Sequence, residues 1–120
     1  MASILIVDDA HVSRTVLREN LKKRGYEVAG ETGDGEEAIA LYEKLHPDLV
    51  TLDITMPGMN GMDCLKRIRE IDPRSRVLMV TALGTLDRVQ EAIQLGCVGF
   101  IKKPFDWNEL YEAVEKGLKT

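Results

Sequence analysis

The sequence predicts an α/β fold, a doubly wound parallel sheet of five strands with five helices on its two faces. Three observations predict it. Short apolar runs alternate with amphipathic helical stretches from one end of the chain to the other. Several of these runs are apolar without alternation, as strands buried on both faces are. They end in polar residues that open directly into loops, most visibly Leu49-Val50-Thr51-Leu52 running into Asp53. Parallel strands need crossover connections, which are right-handed, so this alternation sends every strand's carboxyl end to one edge of the sheet.

The elements follow in order. Ser3–Val7 is a continuous apolar strand closed by Asp8-Asp9. A helix follows with Val12, Val16, Leu17 and Leu21 on one face, and Gly25 ends it in the left-handed cap position after cationic residues that suit its negative end. Tyr26–Gly30 is a short strand whose composition suits an edge. Asp34 and Glu37 form a capping box for a helix that turns Ala38, Ile39, Leu41, Tyr42 and Leu45 inward and stops at His46-Pro47. After the strand that ends at Asp53, Asn60 caps a third helix with Leu65, Ile68 and Ile71 inward, and Asp72-Pro73 ends it. Arg76–Thr81 is the fourth strand. From about Thr85 a helix is expected to bury Leu86, Val89, Ala92 and Ile93, with Gly96 capping its end. Val98–Lys102 is the fifth strand. Asp106 and Glu109 form a second capping box, for a helix carrying Leu110, Ala113, Val114 and Leu118.

The 120 residues fit one domain, with no linker, repeat or low-complexity segment. Folding at this length buries roughly two-thirds of the extended surface, so no disulfide or metal staple is needed. A composition of 44% hydrophobic and 30% charged residues fits a soluble globular protein. The net charge of -4 gives no electrostatic footprint for nucleic acid or an anionic membrane. No twenty-residue apolar run occurs and no signal-peptide pattern precedes the first strand, so the expected location is cytoplasmic. Cys64 and Cys97 lack metal or redox spacing and are expected to be buried thiols.

The carboxyl edge collects the chemistry. The first strand delivers Asp8 and Asp9, the third Asp53, the fourth Thr81 and the fifth Lys103. A carboxylate at the mouth of a buried strand is costly unless something there uses it. Three together repel one another and favour a cation. All-oxygen ligands without His or Cys suit a hard ion such as Mg2+. A lysine adds a compact charge for an anion and a threonine adds a hydroxyl donor. Cation, lysine and nucleophilic carboxylate are the parts that phosphoryl transfer requires. Taken singly, each residue has a plainer role: a turn former, a helix cap, a solvated lysine, strand filler. Their joint placement at one edge is what favours a site.

Four segments carry a resemblance: Ile4-Leu5-Ile6-Val7-Asp8-Asp9, Asp53-Ile54-Thr55-Met56-Pro57-Gly58-Met59-Asn60-Gly61, Val80-Thr81-Ala82, and Gly99-Phe100-Ile101-Lys102-Lys103-Pro104-Phe105. With these the chain resembles a response-regulator receiver domain of the single-domain, chemotaxis-regulator-like type, over essentially its whole length. The resemblance implies the flavodoxin-like strand order 2-1-3-4-5, a receiver domain over residues 1–120 and no effector domain. It implies that Asp53 accepts a phosphoryl group from the phosphohistidine of a sensor kinase or phosphotransfer protein. Asp8, Asp9, Asp53 and the backbone carbonyl of Thr55 would hold Mg2+, Lys103 would pair with the phosphoryl group, and the Lys103-Pro104 peptide would be cis. Thr81 and Phe100 would form the switch that alters the face of the fourth helix, fifth strand and fifth helix for a downstream target protein. Phe100 lacks the polar tip of the Tyr or His common at this position, so it would report by burial alone. The unphosphorylated protein would be a monomer, and it would catalyse only its own phosphorylation and dephosphorylation.

Other residues have roles left open or minor. Trp107 is either an exposed anchor for a partner or a packing contact. His11 is expected to be a surface residue at a helix start. Gly96-Cys97-Val98-Gly99 lacks the acidic pair common in transcription-factor receivers that dimerise through this face. Thr55 and Leu83 sit where similar receivers tune phosphoryl lifetime, and Leu83 cannot orient a water. Two other function classes fit less well. An aspartate-nucleophile phosphatase or mutase wants a second aspartate two positions after the nucleophile, where this chain has Thr55, and an inserted cap domain. A flavin- or nucleotide-binding module wants a Gly- or hydroxyl-rich loop after the first strand, where this chain has Asp8-Asp9-Ala10-His11.

Overall fold

The apolar runs pair side by side as parallel strands, and the helical stretches cross over between them. A computed structural model describes residues 1–120. Its elements are β1 (Ser3–Val7), α1 (His11–Lys23), β2 (Glu27–Thr32), α2 (Gly35–Leu45), β3 (Leu49–Leu52), α3 (Gly61–Ile71), β4 (Val77–Thr81), α4 (Leu86–Gln94), β5 (Gly99–Lys102) and α5 (Trp107–Leu118). The sheet order is β2-β1-β3-β4-β5 with every pair parallel, the flavodoxin-like arrangement expected above. The chain first moves outward from β1 to β2, then returns past β1 to β3. Strand order therefore reverses between β1 and β3, where sheets of this kind place their ligands.

The two-residue period of the strands divides the core in two. Leu5, Val7, Val50, Leu52, Val77 and Met79 face Ala38, Ile39, Tyr42, Leu65, Ile68 and Ala92 of α2, α3 and α4. Ile4, Ile6, Leu49, Leu78, Val80 and Ile101 face Leu17, Leu21, Leu110 and Val114 of α1 and α5. Within the first of these faces the Tyr42 hydroxyl donates to Asp72 at 2.8 Å and ties α2 to the end of α3. Burial, then that bond, push the Tyr42 phenol up, and the same bond with the Arg74 N–H holds Asp72 below the usual carboxylate range. No helix is long and apolar enough to cross a membrane.

One core residue breaks the apolar pattern. Thr51 in β3 is 1% exposed between Ile6 and Leu78, and its hydroxyl has no hydrogen-bond partner. An orphaned buried hydroxyl costs about 1–3 kcal/mol. Thr51→Val keeps the shape and removes the orphan, so it is expected to stabilise the fold by about 1 kcal/mol. The check is the urea midpoint, and a lowered midpoint would mean the hydroxyl is satisfied after all.

Several expectations need correction. β2 runs to Thr32 rather than stopping at Gly30, because Glu31 is fixed by Arg18 at 2.7 Å and the Thr32 carbonyl accepts the Asp8 N–H at 2.9 Å. Each capping box is half formed. Asp34 accepts from the Glu37 N–H, but its own N–H goes to Thr32 Oγ1 instead of Glu37; Asp106 accepts from the Asn108 N–H. Val12 and Val16 are exposed, since they sit roughly 140° and 100° around α1 from the buried Leu17. Ile71 is exposed because it closes α3 beyond the last buried turn. The largest departure is α4. Only Ala92 is buried there, while Leu86 and Ile93 are 72% and 62% exposed. Seven residues apart, they lie on one outward face. Cys64 is a buried thiol with its pKa pushed up to about 12 by burial, whereas Cys97 is only half-buried.

Candidate functional site

Pairing at the strand ends places the acidic residues. The Asp8 N–H donates to Thr32 at the end of β2, and the Asp53 N–H donates to Val7 at the end of β1, at 3.0 Å. Asp8 and Asp53 therefore leave the sheet side by side at the β1/β3 reversal. On the other half of the sheet Thr81 closes β4 opposite Lys102, and the Lys103 N–H donates to the Thr81 carbonyl at 2.8 Å. That extra bond carries the pairing one residue past β5 and sets Lys103 at the same edge. The Lys103-Pro104 peptide is cis, as the resemblance implies.

The side chains converge. Asp8 and Asp53 are 2% and 8% exposed, while Asp9 is exposed. One carboxylate oxygen from each of Asp8, Asp9 and Asp53 lies within 4.8 Å of the others. Lys103 Nζ donates to Asp8 Oδ2 at 2.6 Å and to Asp53 Oδ2 at 3.2 Å. Burial alone would lower the Lys103 pKa; the Asp8 hydrogen bond and the charges of Asp53 and Asp8 outweigh it and hold the ammonium above the usual lysine value. One ammonium against three carboxylates leaves the site negative. With only oxygen donors on offer, the set fits a hard divalent cation.

The other expected residues fall as follows. Thr55 is exposed, and its N–H donates to Asp53 Oδ1 at 3.1 Å, which orients the carboxylate from the opposite side to Lys103. Thr81 is fully buried and its hydroxyl accepts from the Leu83 N–H at 3.2 Å, so this threonine is bonded to its own loop. Phe100 is half-buried against the α2–α4 side of the core. Leu83 is 39% exposed beside the site. His11 lies on the surface at the start of α1, as expected. Trp107 takes the packing alternative: it stacks edge-on with Phe105 at 5.0 Å and tilts towards Tyr111 at 6.1 Å, half-buried against the α1/α5 core.

Two residues went unnoticed in the sequence. Ser13 Oγ donates to Asp8 Oδ2 at 2.7 Å and accepts from Lys103 at 3.1 Å. Arg14 donates to the Asp8 carbonyl at 2.7 Å and is itself paired with Glu31. The available signal was positional, since both sit in the first turn of a helix that begins directly after the acidic pair. The largest cavity, about 460 Å³ between α2 and α3, is lined by Glu36, Met59, Asp63, Lys66, Arg67 and Glu70 and includes none of these groups.

A doubly wound 2-1-3-4-5 sheet with a lysine-served aspartate cluster at its switch point marks a receiver-type module, consistent with two-component signalling. The chain belongs to the response regulator receiver domain family, whose model matches residues 4–115. It is 48% identical to the chemotaxis protein CheY of Thermotoga maritima over 113 residues, covering 94% of each chain. It is 44% identical to sporulation initiation phosphotransferase F of Bacillus subtilis over 115 residues, covering 96% of this chain and 92% of that one. Among solved structures, the CheX–CheY–BeF3–Mg2+ complex from Borrelia burgdorferi contains a chain that superposes with a TM-score of 0.92 at 37% identity, covering 94% of this chain and 86% of that one.

Proposed function

We propose that this receiver is a phosphorylation-activated response regulator whose phosphoryl acceptor is Asp53. The observation that carries this reading is the contact of Lys103 Nζ with both Asp53 and Asp8 inside the three-carboxylate cluster. In the step, an Asp53 carboxylate oxygen attacks the phosphorus of a phosphohistidine on a sensor kinase or phosphotransfer protein. The P–N bond breaks, the imidazole leaves with its electron pair and takes a proton, and an acyl phosphate forms. Thr55 N–H fixes one Asp53 oxygen, leaving the other, on the Lys103 side, to attack. Lys103 then pairs with the incoming phosphoryl oxygens. Asp8, Asp9, Asp53 and the Thr55 carbonyl would hold Mg2+, which when bound neutralises charge on the equatorial oxygens.

The phosphoryl group adds about -1.5 to -2 charges. That is enough to draw the Thr81 hydroxyl from the Leu83 N–H, and Phe100, half-buried two residues before Lys102, moves into the space behind it. The face altered is α4, β5 and α5. Its outward Leu86 and Ile93, both largely exposed on one face of α4, support a target protein docking there. Similarity to both a chemotaxis protein and a sporulation phosphotransferase leaves the pathway to the kinase and target.

The test is incubation with Mg2+ and a small-molecule phosphodonor, read by intact mass and hydroxylamine sensitivity. One hydroxylamine-labile phosphoryl group per chain is expected, and a lasting lack of labelling sinks the reading. Lifetime gives a separate prediction. Leu83 is apolar and cannot orient an attacking water, so self-dephosphorylation is expected to be slow and to accelerate in Leu83→Glu. The decay of the isolated phosphoprotein decides it; an unchanged or slower decay in the variant removes Leu83 from lifetime control.

A further inference from the structure

Lys103 has three N–H donors, and each has an acceptor: Asp8 Oδ2 at 2.6 Å, Ser13 Oγ at 3.1 Å and Asp53 Oδ2 at 3.2 Å. Ser13 Oγ donates in turn to Asp8 Oδ2 at 2.7 Å. Ser13, Asp8 and Lys103 thus close a ring of three hydrogen bonds, and Asp53 hangs from it by the longest arm. The other Asp8 oxygen is taken by the Ala10 N–H at 2.9 Å. We propose that Ser13 is a positioning residue that holds Lys103 against Asp8 in competition with the divalent cation, and so sets the threshold for cation binding. The proposal rests on the reading that the acidic cluster takes Mg2+.

A cation entering among Asp8, Asp9 and Asp53 meets an ammonium bonded to an oxygen it needs, and like charges there repel. Lys103 must give up Asp8, and its bond to Ser13 goes with it. The Ser13–Asp8 bond survives either way, since a carboxylate accepts a hydroxyl while it ligates a metal. The serine hydroxyl therefore stabilises the Lys103–Asp8 pair more than the cation-loaded site. The displaced ammonium keeps the bond it already makes to Asp53 Oδ2 at 3.2 Å. Cation entry would in this way leave Asp53 as the one carboxylate that Lys103 still holds.

The experiment is calorimetric titration of the whole chain with MgCl2 alone, for wild type, Ser13→Ala, Lys103→Met and the double variant. Alanine suits a helix interior, so Ser13→Ala keeps α1. Loss of one charge-assisted bond is expected to tighten Mg2+ binding in Ser13→Ala by about threefold or more. In the Lys103→Met background the same substitution is expected to bring no gain. Unchanged or weaker binding in Ser13→Ala overturns the role of the serine, as does a gain that persists without Lys103. A wild-type protein that binds no Mg2+ overturns the acidic-site reading itself, and this inference with it.

Discussion

Asp53→Asn is expected to take up no phosphoryl group under conditions that label the wild type fully. A carboxamide oxygen is a poor nucleophile and would give no stable acyl phosphate, so the chemical step is lost and not merely slowed. The structure also says that the loss will not come from unfolding. Asn keeps the oxygen that accepts the Thr55 N–H, and it removes one of three mutually repelling carboxylates. The ion pair given up is the longer of the two made by Lys103, which retains Asp8 at 2.6 Å. Thermal stability is therefore expected to equal or exceed that of the wild type. Intact mass after incubation with Mg2+ and phosphodonor, beside a melting curve, checks both halves. Labelling of the variant at wild-type stoichiometry would move the acceptor elsewhere; a collapse in stability would mean that Asp53 is held for structure.

That the aspartates of the carboxyl edge could be named from sequence, while their partners were partly missed, has a physical reason. β1, β3 and β4 are apolar without alternation, and a strand buried on both faces has to be read that way whatever surrounds it. A polar residue at the end of such a strand stands out, so Asp8, Asp53 and Thr81 were legible. The strand order was not legible from periodicity; it came from the resemblance. Helix faces are less legible, because an apolar side chain on a helix need not be a buried one. Val12, Leu86 and Ile93 are apolar and exposed, and the sheet in fact receives Leu17, Leu21 and the small Ala92 from these helices. Ser13 escaped for the converse reason. A serine in a first helical turn has many ordinary uses, and only the folded geometry shows that its hydroxyl reaches back over Asp8 to Lys103. The capping boxes show the same limit, since the Asp34 N–H goes to Thr32 Oγ1 and not to Glu37.

Gly61→Ala is expected to be the most damaging small substitution in the chain, and local propensity argues for the opposite sign. Gly61 is the first residue of α3, where alanine would favour the helix by up to about 1 kcal/mol. Its N–H, however, donates to the Ile54 carbonyl at 2.8 Å, which draws the start of α3 hard against the end of β3. A Cβ there would overlap the Asp53 carbonyl oxygen and come within 2.6 Å of Ile54 Cα. These are backbone atoms, with no rotamer by which to yield. One course is for α3 to withdraw, loosening Met62, Leu65 and Ile68, all now 4% exposed or less. The other is for the Asp53 backbone to shift, taking its carboxylate away from Lys103 and the Thr55 N–H. Overpacking of this kind costs about 3 kcal/mol, which exceeds any gain in propensity. Denaturant unfolding gives the stability, and labelling well below the melting temperature gives the site. If α3 yields, the folded fraction labels at the wild-type rate. If the strand end yields, labelling slows even in protein that remains folded, because a displacement of about 1 Å in a positioned nucleophile can cost a hundredfold in rate. A variant as stable and as reactive as wild type would show that the acceptor is not held by the close approach of α3 to β3.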